Sequence, residues 1–523
     1  MGTKTAQERI RMGFSLHEAV RHWATYTPEK PLLINEHLHI TYREIQEKII
    51  KIRAVLSARH LEPQTPIGLL MDDKPIYLAS LCAILSEGHS VVILNVAIPG
   101  NLLANMIHDC QCPLLLTHET LLEKARQIDC DQILVDRMLQ QTPTTFDPAP
   151  FRNPENYNPR YLDQIWGTIY SSGTTGQPKG VVRTDLSILS ELIGWCFEIP
   201  IVRSSTIYIS RPIYYTGGLV LSAAAMLAGA SIIAPVLHSE INYHDLLSRH
   251  SVSMAFMLPS EVDQLIQARI ASSLPWPAPE KILTMGAPTS VTLKKLTKKW
   301  LHCDYIESWG NSEGLGTITD PDDVERRPKS IGRPFLTDRM FILNDKREIV
   351  QNQEIGLISG IADSNFSEYR NRSDLNQEAI NDDRVISEDL GHIDPDGYFY
   401  IVGRTVDRMI RNGHVVFTSD IERAMLQTEN FEAAKVVAIE RPGKDAIPVA
   451  AVVLKPSITK TPEDLLQDIH SLLPPEQHVS SILIVNQLPM NAAGKVDLNA
   501  VRALFCKDGA NSFQTPTNQG IKS

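Results

Sequence analysis

The sequence is poor in features that mark secreted and nucleic-acid-binding proteins. Its seven cysteines are scattered through 523 residues, which is not a disulfide framework and suits a reducing cytosol. Acidic residues outnumber basic ones, 61 to 50, and no long basic run is present. Sequence-independent binding of nucleic acid needs dense neutralisation of phosphates and is therefore not expected. We expect a cytoplasmic protein whose ligands bind in a local, shaped site.

Uninterrupted apolar runs of membrane length are also lacking. The N-terminal segment MGTKTAQERIRMGF has no apolar core of the kind that signal peptides carry. The stretch 219–237 is long enough to cross a membrane, but Gly229 and Pro235 interrupt it. A buried helix, a turn at Gly229-Ala230 and a core strand explain it better. No integral membrane segment is expected.

Two of the cysteines raise the question of a metal site. Cys110 and Cys112 lie near His108 and His118, but their spacing is not CxxC, and Cys112 opens the apolar run PLLLT. Buried small apolar side chains are the preferred interpretation, ahead of zinc ligands.

The length and the apolar pattern predict more than one domain, because a single core stops growing near ~250–300 residues. Strands such as PIGLLM (66–71) alternate with helices up to about residue 320, which predicts a parallel sheet with crossover helices. Short strands and turns follow, with a hairpin at Asp396-Gly397. The segment 141–160 is predicted to be a surface linker, and the last part of the chain a small α+β unit.

The strongest chemical signal is YSSGTTGQPKGVVRT, residues 170–184. Three glycines and the four hydroxyl groups of residues 171–175 follow an apolar strand, so N–H and O–H groups can surround phosphate oxygens. Lys179 adds a positive charge. The segment is not a Walker A loop, because Pro178 interrupts that pattern. A solvated hinge rich in Ser, Thr and Gly is the alternative.

This segment resembles the signature [ST]SG[TS]TGxPKG of the adenylate-forming (AMP-binding) superfamily of acyl-CoA synthetases, peptide-synthetase adenylation domains and luciferases. Residues 171–180 match it throughout, and further motifs follow in order to about residue 500. The resemblance implies that Lys179 is catalytic. It also implies that ATP is bound by Ser171, Ser172, Gly173, Thr174, Thr175 and Gly176.

Two further segments resemble the family's adenine and magnesium motifs. Trp309 to Glu313, WGNSE, is similar to aromatic-Gly-x-Thr-Glu, which implies that the Trp309 ring stacks on adenine and Glu313 binds Mg²⁺. Taken alone, a Trp-Gly turn is more often part of a core. Met285 to Pro288 looks like the adenine-edge segment GGAP. The implied nucleotide-binding residues are Trp309, Gly310, Asn311, Ser312, Gly286, Ala287 and Pro288.

Two motifs lie nearer the C-terminus. SEDLGHIDPDGYFYIVGR is similar to TGDLGxxDxDGxLxxxGR, which implies that Asp389 holds the ribose hydroxyls with help from Arg404. LPMNAAGKVDLNAV is similar to the family's PxxxxGK. This implies that Lys495 is the catalytic lysine that stabilises charge at the α-phosphate. Seen alone, such a lysine is usually only solvated.

The chain departs from the family pattern at the hinge and in the acyl pocket. Val406 stands where the family usually has the Asp or Lys about which the C-terminal domain swings, and a β-branched side chain resists that rotation. RPIYYTGG (211–218) resembles the pocket segment PLxHxxG. Tyr215 replaces the residue that pairs with an α-amine, so an α-ammonium would be buried unpaired. The implied pocket residues are Tyr214, Tyr215, Gly217, Gly218 and Gly286.

The resemblance implies an α/β fold: a large N-terminal domain of parallel sheets with a small β-barrel-like subdomain, then a smaller mobile α+β domain. The expected domains are 1–403 and 404–507, with a disordered tail over 508–523. The implied activity joins a fatty or aryl acid to AMP at the expense of ATP with Mg²⁺, then transfers the acyl group to coenzyme A. The phosphopantetheine arm of a carrier protein is the alternative acceptor.

The sequence leaves open whether the chain is catalytic, which acid it uses and whether it forms a dimer. A nucleotide sensor without catalysis is a third reading, but it would be expected to lose Lys495 or Glu313, and both are present. The sequence does not choose between alkyl and aryl acids, and it leaves a homodimer open.

Overall fold

The structure is a computed structural model that describes residues 15–35, 38–141, 160–172, 178–235, 242–287, 289–350, 353–441, 444–490 and 496–506. Its contacts divide the chain into two compact units. The first comprises Met1–Ser171, Pro178–Ser387 and Gly391–Ile401. The second comprises Ser172–Gln177, Glu388–Leu390 and Val402–Ser523. The domain boundary at 403/404 stays a prediction.

The helices described in the first unit are short to medium in length. They are α1 (Leu16–Tyr26), α2 (Tyr42–Ser57), α3 (Lys74–Ser86), α4 (Gly100–Asp109), α5 (Leu122–Ala125), α6 (Val135–Gln141), α7 (Asp185–Glu198), α8 (Thr216–Ala228), α9 (Tyr243–Arg249), α10 (Pro259–Ala271), α11 (Val291–Leu301), α12 (Asp323–Arg326) and α13 (Ser373–Ala379).

The strands alternate with these helices and then follow one another more closely. They are β1 (Pro31–Ile34), β2 (His39–Thr41), β3 (Pro66–Leu70), β4 (Ser90–Ile93), β5 (Leu114–Thr117), β6 (Asp131–Leu134), β7 (Ile165–Ser172), β8 (Pro178–Thr184), β9 (Thr206–Ile209), β10 (Ser231–Ile233), β11 (Met254–Met257), β12 (Lys281–Met285), β13 (Asp304–Gly310), β14 (Gly316–Ile318), β15 (Arg333–Pro334), β16 (Arg339–Leu343), β17 (Gly356–Ile361), β18 (Glu368–Tyr369), β19 (Ile380–Asn381), β20 (Arg384–Ile393) and β21 (Phe399–Arg404).

Two large sheets carry the predicted alternation of strand and helix. One has the order β15-β14-β13-β12-β11-β9-β10-β1-β2, and the other β18-β8-β7-β4-β3-β5-β6. Pairing is parallel in the middle of both sheets, as between β11 and β12 and between β3 and β4. The α/β fold class is confirmed. A further sheet joins β16, β17, β20, β19 and β21, in the region where short strands and turns were predicted.

The largest apolar core lies where both large sheets meet helix α3. This helix is apolar on all sides, and its residues from Tyr77 to Ser86 are buried, which is typical of a helix enclosed between layers. One continuous cluster joins it to Leu69 of β3 and Ile209 of β9. Helix α3 therefore begins near the ends of β3 and β9, which belong to different sheets. Parallel α/β proteins bind ligands at this edge of a sheet.

The turn predicted at Gly229-Ala230 and the hairpin predicted at Asp396-Gly397 are confirmed. Helix α8 ends at Gly229, whose φ of +73° places it in the left-handed region, and strand β10 follows. Thr41 caps α2 through a capping box with Glu44. Gly397, with φ of +89°, turns the chain between β20 and β21. None of the helices in the described ranges combines the length and the apolar character that a membrane crossing requires.

The second unit is a small α+β arrangement. Its described elements are β22 (Arg408–Arg411), β23 (His414–Phe417), α14 (Thr418–Leu426), β24 (Phe431–Arg441), β25 (Lys444–Leu454), α15 (Pro462–His470), β26 (Ser481–Ile484) and α16 (Leu498–Cys506). Strands β24 and β25 form a long antiparallel hairpin, and β26 adds to β25 in parallel. Nearly all of the predicted linker (141–160) and the whole predicted tail (508–523) lie outside the described residues.

Asp338 is a buried carboxylic acid in the loop between β15 and β16. It is 9% exposed, its Oδ1 accepts a hydrogen bond from the Thr337 hydroxyl at 2.9 Å, and its Oδ2 has no partner among the described residues. Burial raises the pKa of Asp338 to about 7, and the nearby Glu191 and Glu198 act in the same direction. The folded protein therefore holds this proton more tightly than the unfolded chain does. The resulting stabilisation is complete below the ordinary Asp pKa and is lost as the pH rises through about 7.

We predict that Asp338→Asn stabilises the protein, relative to the unmodified chain, more at pH 8 than at pH 5, because the amide cannot ionise. The gain in free energy of unfolding should be larger at pH 8 by about 1 kcal/mol or more, measured by urea unfolding at both pH values. Asp304→Asn, at an exposed position, is the control and should show no such difference. An equal effect of Asp338→Asn at both pH values would contradict the assignment.

Candidate functional site

Two of the predicted catalytic residues contact the same tyrosine. The Nζ of buried Lys179 lies 5.3 Å from the centre of the Tyr369 ring, within the range of a cation–π interaction. The Tyr369 hydroxyl donates a 2.7 Å hydrogen bond to Oε1 of Glu313. Tyr369 is held in place because β18 pairs with β8, opposite Val181. The structure thus brings Lys179 and Glu313 together around a residue that the motifs did not include.

The turn that carries Glu313 is tightly constrained. Gly314 has φ of +97°, and a Cβ there would lie 1.9 Å from the Ser364 carbonyl oxygen, so only glycine fits. The side chain of Asn311 accepts a hydrogen bond from the Leu315 N–H at 3.0 Å. The carbonyl of Glu313 accepts one from the Phe366 N–H at 2.8 Å. These bonds fix the backbone on both sides of the carboxylate.

A buried arginine ties this turn to the strand of the phosphate-loop motif. Arg183, at the end of β8, is completely buried. Its guanidinium donates to the carbonyls of Ser312 (3.3 Å) and Ser364 (2.8 Å), and it forms an ion pair with Glu191 at 2.7 Å. Its Nε donates to the Ser187 hydroxyl. Arg183 lay inside the recognised motif, but nothing in the sequence showed that it reaches the Glu313 turn.

Hydrogen bonds from strand β13 fix the loop that contains the predicted adenine-edge segment. Gly286 has φ of +88°, and a Cβ there would have no neighbour within 4 Å, so the backbone faces open space. The Tyr305 hydroxyl donates to the Thr289 hydroxyl at 2.9 Å, and Glu307 accepts from the Thr289 N–H at 3.2 Å. Glu307 forms a buried ion pair with Lys294. Ala287 is exposed beside Gly286.

Trp309 lies at the end of β13, opposite Thr317 of β14. Its ring is partly buried and packs against two apolar clusters, one containing Phe366 and Tyr369 and the other containing Ile342. Part of the Trp309 ring therefore packs in the apolar core, as the alternative interpretation of the motif proposed. Its proposed stacking on adenine stays a prediction.

The acyl-pocket segment meets the turn that carries Glu313. The hydroxyls of Thr216 and Ser312 lie 3.5 Å apart, at the start of α8 and in the Glu313 turn. A Cβ on Gly217 would lie 2.7 Å from Cε of Met285 and 3.1 Å from Cζ of Phe256, so these two side chains border the space that Gly217 leaves. Gly218 is required for a different reason. A Cβ there would lie 2.3 Å from the Pro212 carbonyl.

The two pocket tyrosines pack on each other, with ring centres 5.2 Å apart. Tyr214 is buried, whereas Tyr215 is only partly buried and lies under the guanidinium of Arg211, 4.8 Å from its ring centre. Burial raises the pKa of Tyr214 to about 12, with contributions from Tyr215 and Asp72.

In the second unit, the predicted ribose-binding pair is formed. Nε of Arg404 donates to Oδ1 of Asp389 at 3.0 Å, and Asp389 is buried while Arg404 is half exposed. Val406 lies in a short 3₁₀ turn, Thr405–Asp407. Its carboxylate neighbour Asp407 accepts a 3.3 Å hydrogen bond from Thr418.

Several predicted site residues cannot be placed. Ser171 and Ser172 belong to the end of β7, and only the backbone of Ser172 is described. The predicted site residues outside the described ranges are Gly173, Thr174, Thr175, Gly176, Pro288 and Lys495. Their roles stay predictions.

The chain is similar to peptide synthetases and to CoA ligases. It is 24% identical to tyrocidine synthase 3 from Brevibacillus parabrevis over 93% of its own length, but it spans only 8% of that protein. It is also 24% identical to a 2-succinylbenzoate–CoA ligase from Bacillus velezensis, over 90% of this chain and 95% of the ligase.

Solved structures show the same fold. The o-succinylbenzoate CoA synthetase MenE from Bacillus subtilis, in complex with the acyl-adenylate intermediate OSB-AMP, has a TM-score of 0.82 at 20% identity. The alignment covers 92% of this chain and 97% of that one. The same synthetase in complex with ATP and magnesium ion gives a TM-score of 0.81 at 21% identity, over 92% and 99% of the two chains.

We predict that Arg183→Met destabilises the first unit strongly, because it leaves Glu191 and two buried carbonyls without their donor. The expected loss in free energy of unfolding is about 3–5 kcal/mol, measured by urea unfolding. The control is Arg126→Met, which removes an exposed pair with Glu123 and should cost less than about 1 kcal/mol. A loss no larger than that of the control would show that the buried cluster does not hold the turn.

Family models cover both units. The model described as AMP-binding enzyme matches residues 20–369, about two-thirds of the chain, and the model described as AMP-binding enzyme C-terminal domain matches residues 420–495. These matches confirm the resemblance seen in the motifs and the prediction of an enzyme. The chain belongs to the AMP-binding enzyme family.

Proposed function

We propose that this protein is an AMP-forming acid–thiol ligase. It joins a carboxylic acid without an α-amine to the AMP part of ATP, releases pyrophosphate, and transfers the acyl group to the thiol of coenzyme A. The observation that carries the proposal is the contact of Lys179 and Glu313 with one tyrosine, Tyr369. A fixed positive charge and a fixed carboxylate thereby lie in one rigid region, as catalysis on a metal–triphosphate complex requires.

The residues around Glu313 fit a magnesium ion. A carboxylate is the hard oxygen ligand that Mg²⁺ prefers, usually one or two of them together with substrate phosphates. When bound, the ion balances the charge of the phosphates. The locked turn at Gly314 orients the Glu313 carboxylate, and the Tyr369 hydroxyl holds one of its oxygens. Lys179 supplies a further positive charge for the phosphate oxygens.

The remaining residues have proposed roles in binding the nucleotide. Trp309 offers its ring to adenine, with Gly286 and Ala287 along the adenine edge. Asp389 and Arg404 hold the ribose hydroxyls, and Lys495 stabilises charge as the substrate carboxylate attacks the α-phosphorus. The exposed backbone at Gly286 and the formed pair of Asp389 and Arg404 support these roles.

The acyl pocket argues against an α-amino acid. The position of a carboxylate partner for an α-ammonium is held by Tyr215, which lies under Arg211. A second cation beside that guanidinium would be repelled as well as unpaired. This supports a fatty or aryl acid as the substrate.

Coenzyme A is the proposed acceptor, because the 2-succinylbenzoate–CoA ligase matches this chain over 95% of its own length, whereas tyrocidine synthase 3 matches over only 8% of its own. A carrier protein is the alternative. ATP–pyrophosphate exchange should first be measured with a panel of alkyl and aryl acids, and thioester formation then with CoA and with a phosphopantetheinylated carrier protein. Exchange without CoA thioester, but with loading of the carrier, would replace the proposed acceptor. No exchange with any acid would reject the function.

We predict that Lys495→Ala abolishes ATP–pyrophosphate exchange, by about 10²-fold or more, because the charge that develops at the α-phosphate loses its counter-ion. The fold should be unchanged by circular dichroism. Lys455→Ala, at an exposed lysine of the second unit, is the matched control and should keep full exchange. Retained exchange in Lys495→Ala would remove this lysine from the mechanism.

We predict that Val406→Pro separates the two half-reactions. Proline fixes φ and stiffens the proposed hinge, so the change of domain orientation between the two steps should slow. Pyrophosphate exchange should stay within about three-fold of the unmodified enzyme, while thioester formation falls by about ten-fold or more. Equal loss of both half-reactions would contradict a hinge at Val406.

A further inference from the structure

A partly buried lysine lies at the edge where strands of both large sheets end. Lys74 is the first residue of α3, and its Nζ donates a long, 3.4 Å hydrogen bond to the carbonyl of Ile209, the last residue of β9. It forms no ion pair with any residue in the described ranges. Burial lowers the pKa of the Lys74 amine to about 8. An ammonium group in this setting is costly unless an anion joins it.

A second cation comes from the same strand end. Arg211 follows Ile209 by two residues and opens the acyl-pocket segment, with its guanidinium 4.8 Å from the Tyr215 ring centre. Its charge also acts on Tyr214. No carboxylate of the described residues lies within ion-pair distance of the Arg211 guanidinium. Two cations therefore border the segment that the family resemblance assigns to the acyl group.

A buried tyrosine hydroxyl on α3 also lacks a hydrogen-bond partner. Tyr77 lies one helical turn after Lys74 on α3, where residues three apart share a face. It is fully buried, and its hydroxyl has no hydrogen-bond partner among the described residues. Buried polar atoms without a partner are rare, and they often mark the place of a water molecule or a ligand.

The nearby acidic residues equal the two cations in number, but they form no ion pair with either within the described ranges. Asp73 uses its carboxylate to cap α3, where Oδ1 accepts from the Ile76 N–H at 2.8 Å. Asp72 acts on Tyr214 and offsets one positive charge. Lys74 and Arg211 therefore have their charge balanced in number by Asp72 and Asp73, yet each lacks an ion-pair partner within the described ranges, as Tyr77 lacks a partner for its hydroxyl. An acyl group that ends in an apolar methyl or ring would leave these groups desolvated and unpaired.

We propose that Lys74 and Arg211 bind a second carboxylate of the substrate, so that the enzyme activates one end of a dicarboxylic acid. The apolar side chains of Phe256 and Met285 beside Gly217 would contact the part of the substrate between its two carboxylates. A carboxylate that pairs with both cations gains charge-assisted hydrogen bonds from two partly buried side chains. This inference rests on the proposed function, since it describes the far end of the same acyl pocket.

The test is ATP–pyrophosphate exchange with matched pairs of acids, such as butyrate with succinate, hexanoate with adipate, and benzoate with terephthalate. The dicarboxylic acid should give the higher kcat/KM in at least one pair, by about ten-fold or more. A higher kcat/KM for the monocarboxylic acid in every pair would overturn the inference and leave the proposed function standing. No exchange with any acid would instead reject the proposed function itself.

Variants then assign the effect to the two cations. Lys74→Met should lower kcat/KM for the preferred dicarboxylic acid by about ten-fold or more while changing that for its monocarboxylic partner by less than about three-fold. Arg211→Met should act in the same direction. Lys295→Met, at an exposed lysine of α11, is the matched control and should change neither value. Equal losses for both acids in Lys74→Met would overturn the assignment, and Lys74→Gln repeats the test if the Met variant does not fold.

Discussion

The hydrogen bond between Tyr369 and Glu313 is the interaction on which the proposed site depends. Three segments far apart in sequence meet there: the strand of the phosphate-loop motif through Lys179, the turn after β13 through Glu313, and the short edge strand β18 through Tyr369. The Tyr369 hydroxyl restrains one oxygen of the Glu313 carboxylate. Holding one oxygen reduces the reorganisation that must accompany binding of a metal–nucleotide complex.

Two buried ion pairs lie beneath the loops of the proposed site. Arg183 and Glu191 form a buried pair under the Glu313 turn, and Lys294 and Glu307 form another under the adenine-edge segment. Buried ion pairs are a weak source of stability, because desolvation offsets most of the attraction. Here the pairs orient the backbone, because their cations also donate hydrogen bonds to backbone carbonyls. Arg183 donates to Ser312 and Ser364, and Lys294 donates to Pro328. The loops above are thereby held in one conformation.

The sequence alone predicted the fold class, the family and the motif residues, because these depend on local patterns: alternation of strands and helices, glycine-rich turns and short ordered signatures. Tyr369, Arg183 and Lys74 were not predicted. Each acts through a neighbour distant in sequence, since Tyr369 depends on the pairing of β18 with β8 and Lys74 on the meeting of two sheets. Roles in the second unit, above all that of Lys495, rest on motif order and stay predictions.

The most direct test of the central claim is a crystal structure with ATP and Mg²⁺. The account predicts a metal ion about 2.0–2.1 Å from a carboxylate oxygen of Glu313. It also predicts that Lys179 lies within hydrogen-bond distance of a phosphate oxygen and that Tyr369 remains bonded to Glu313. A triphosphate bound with its metal away from Glu313, and with the Tyr369 contact unchanged, would contradict the account.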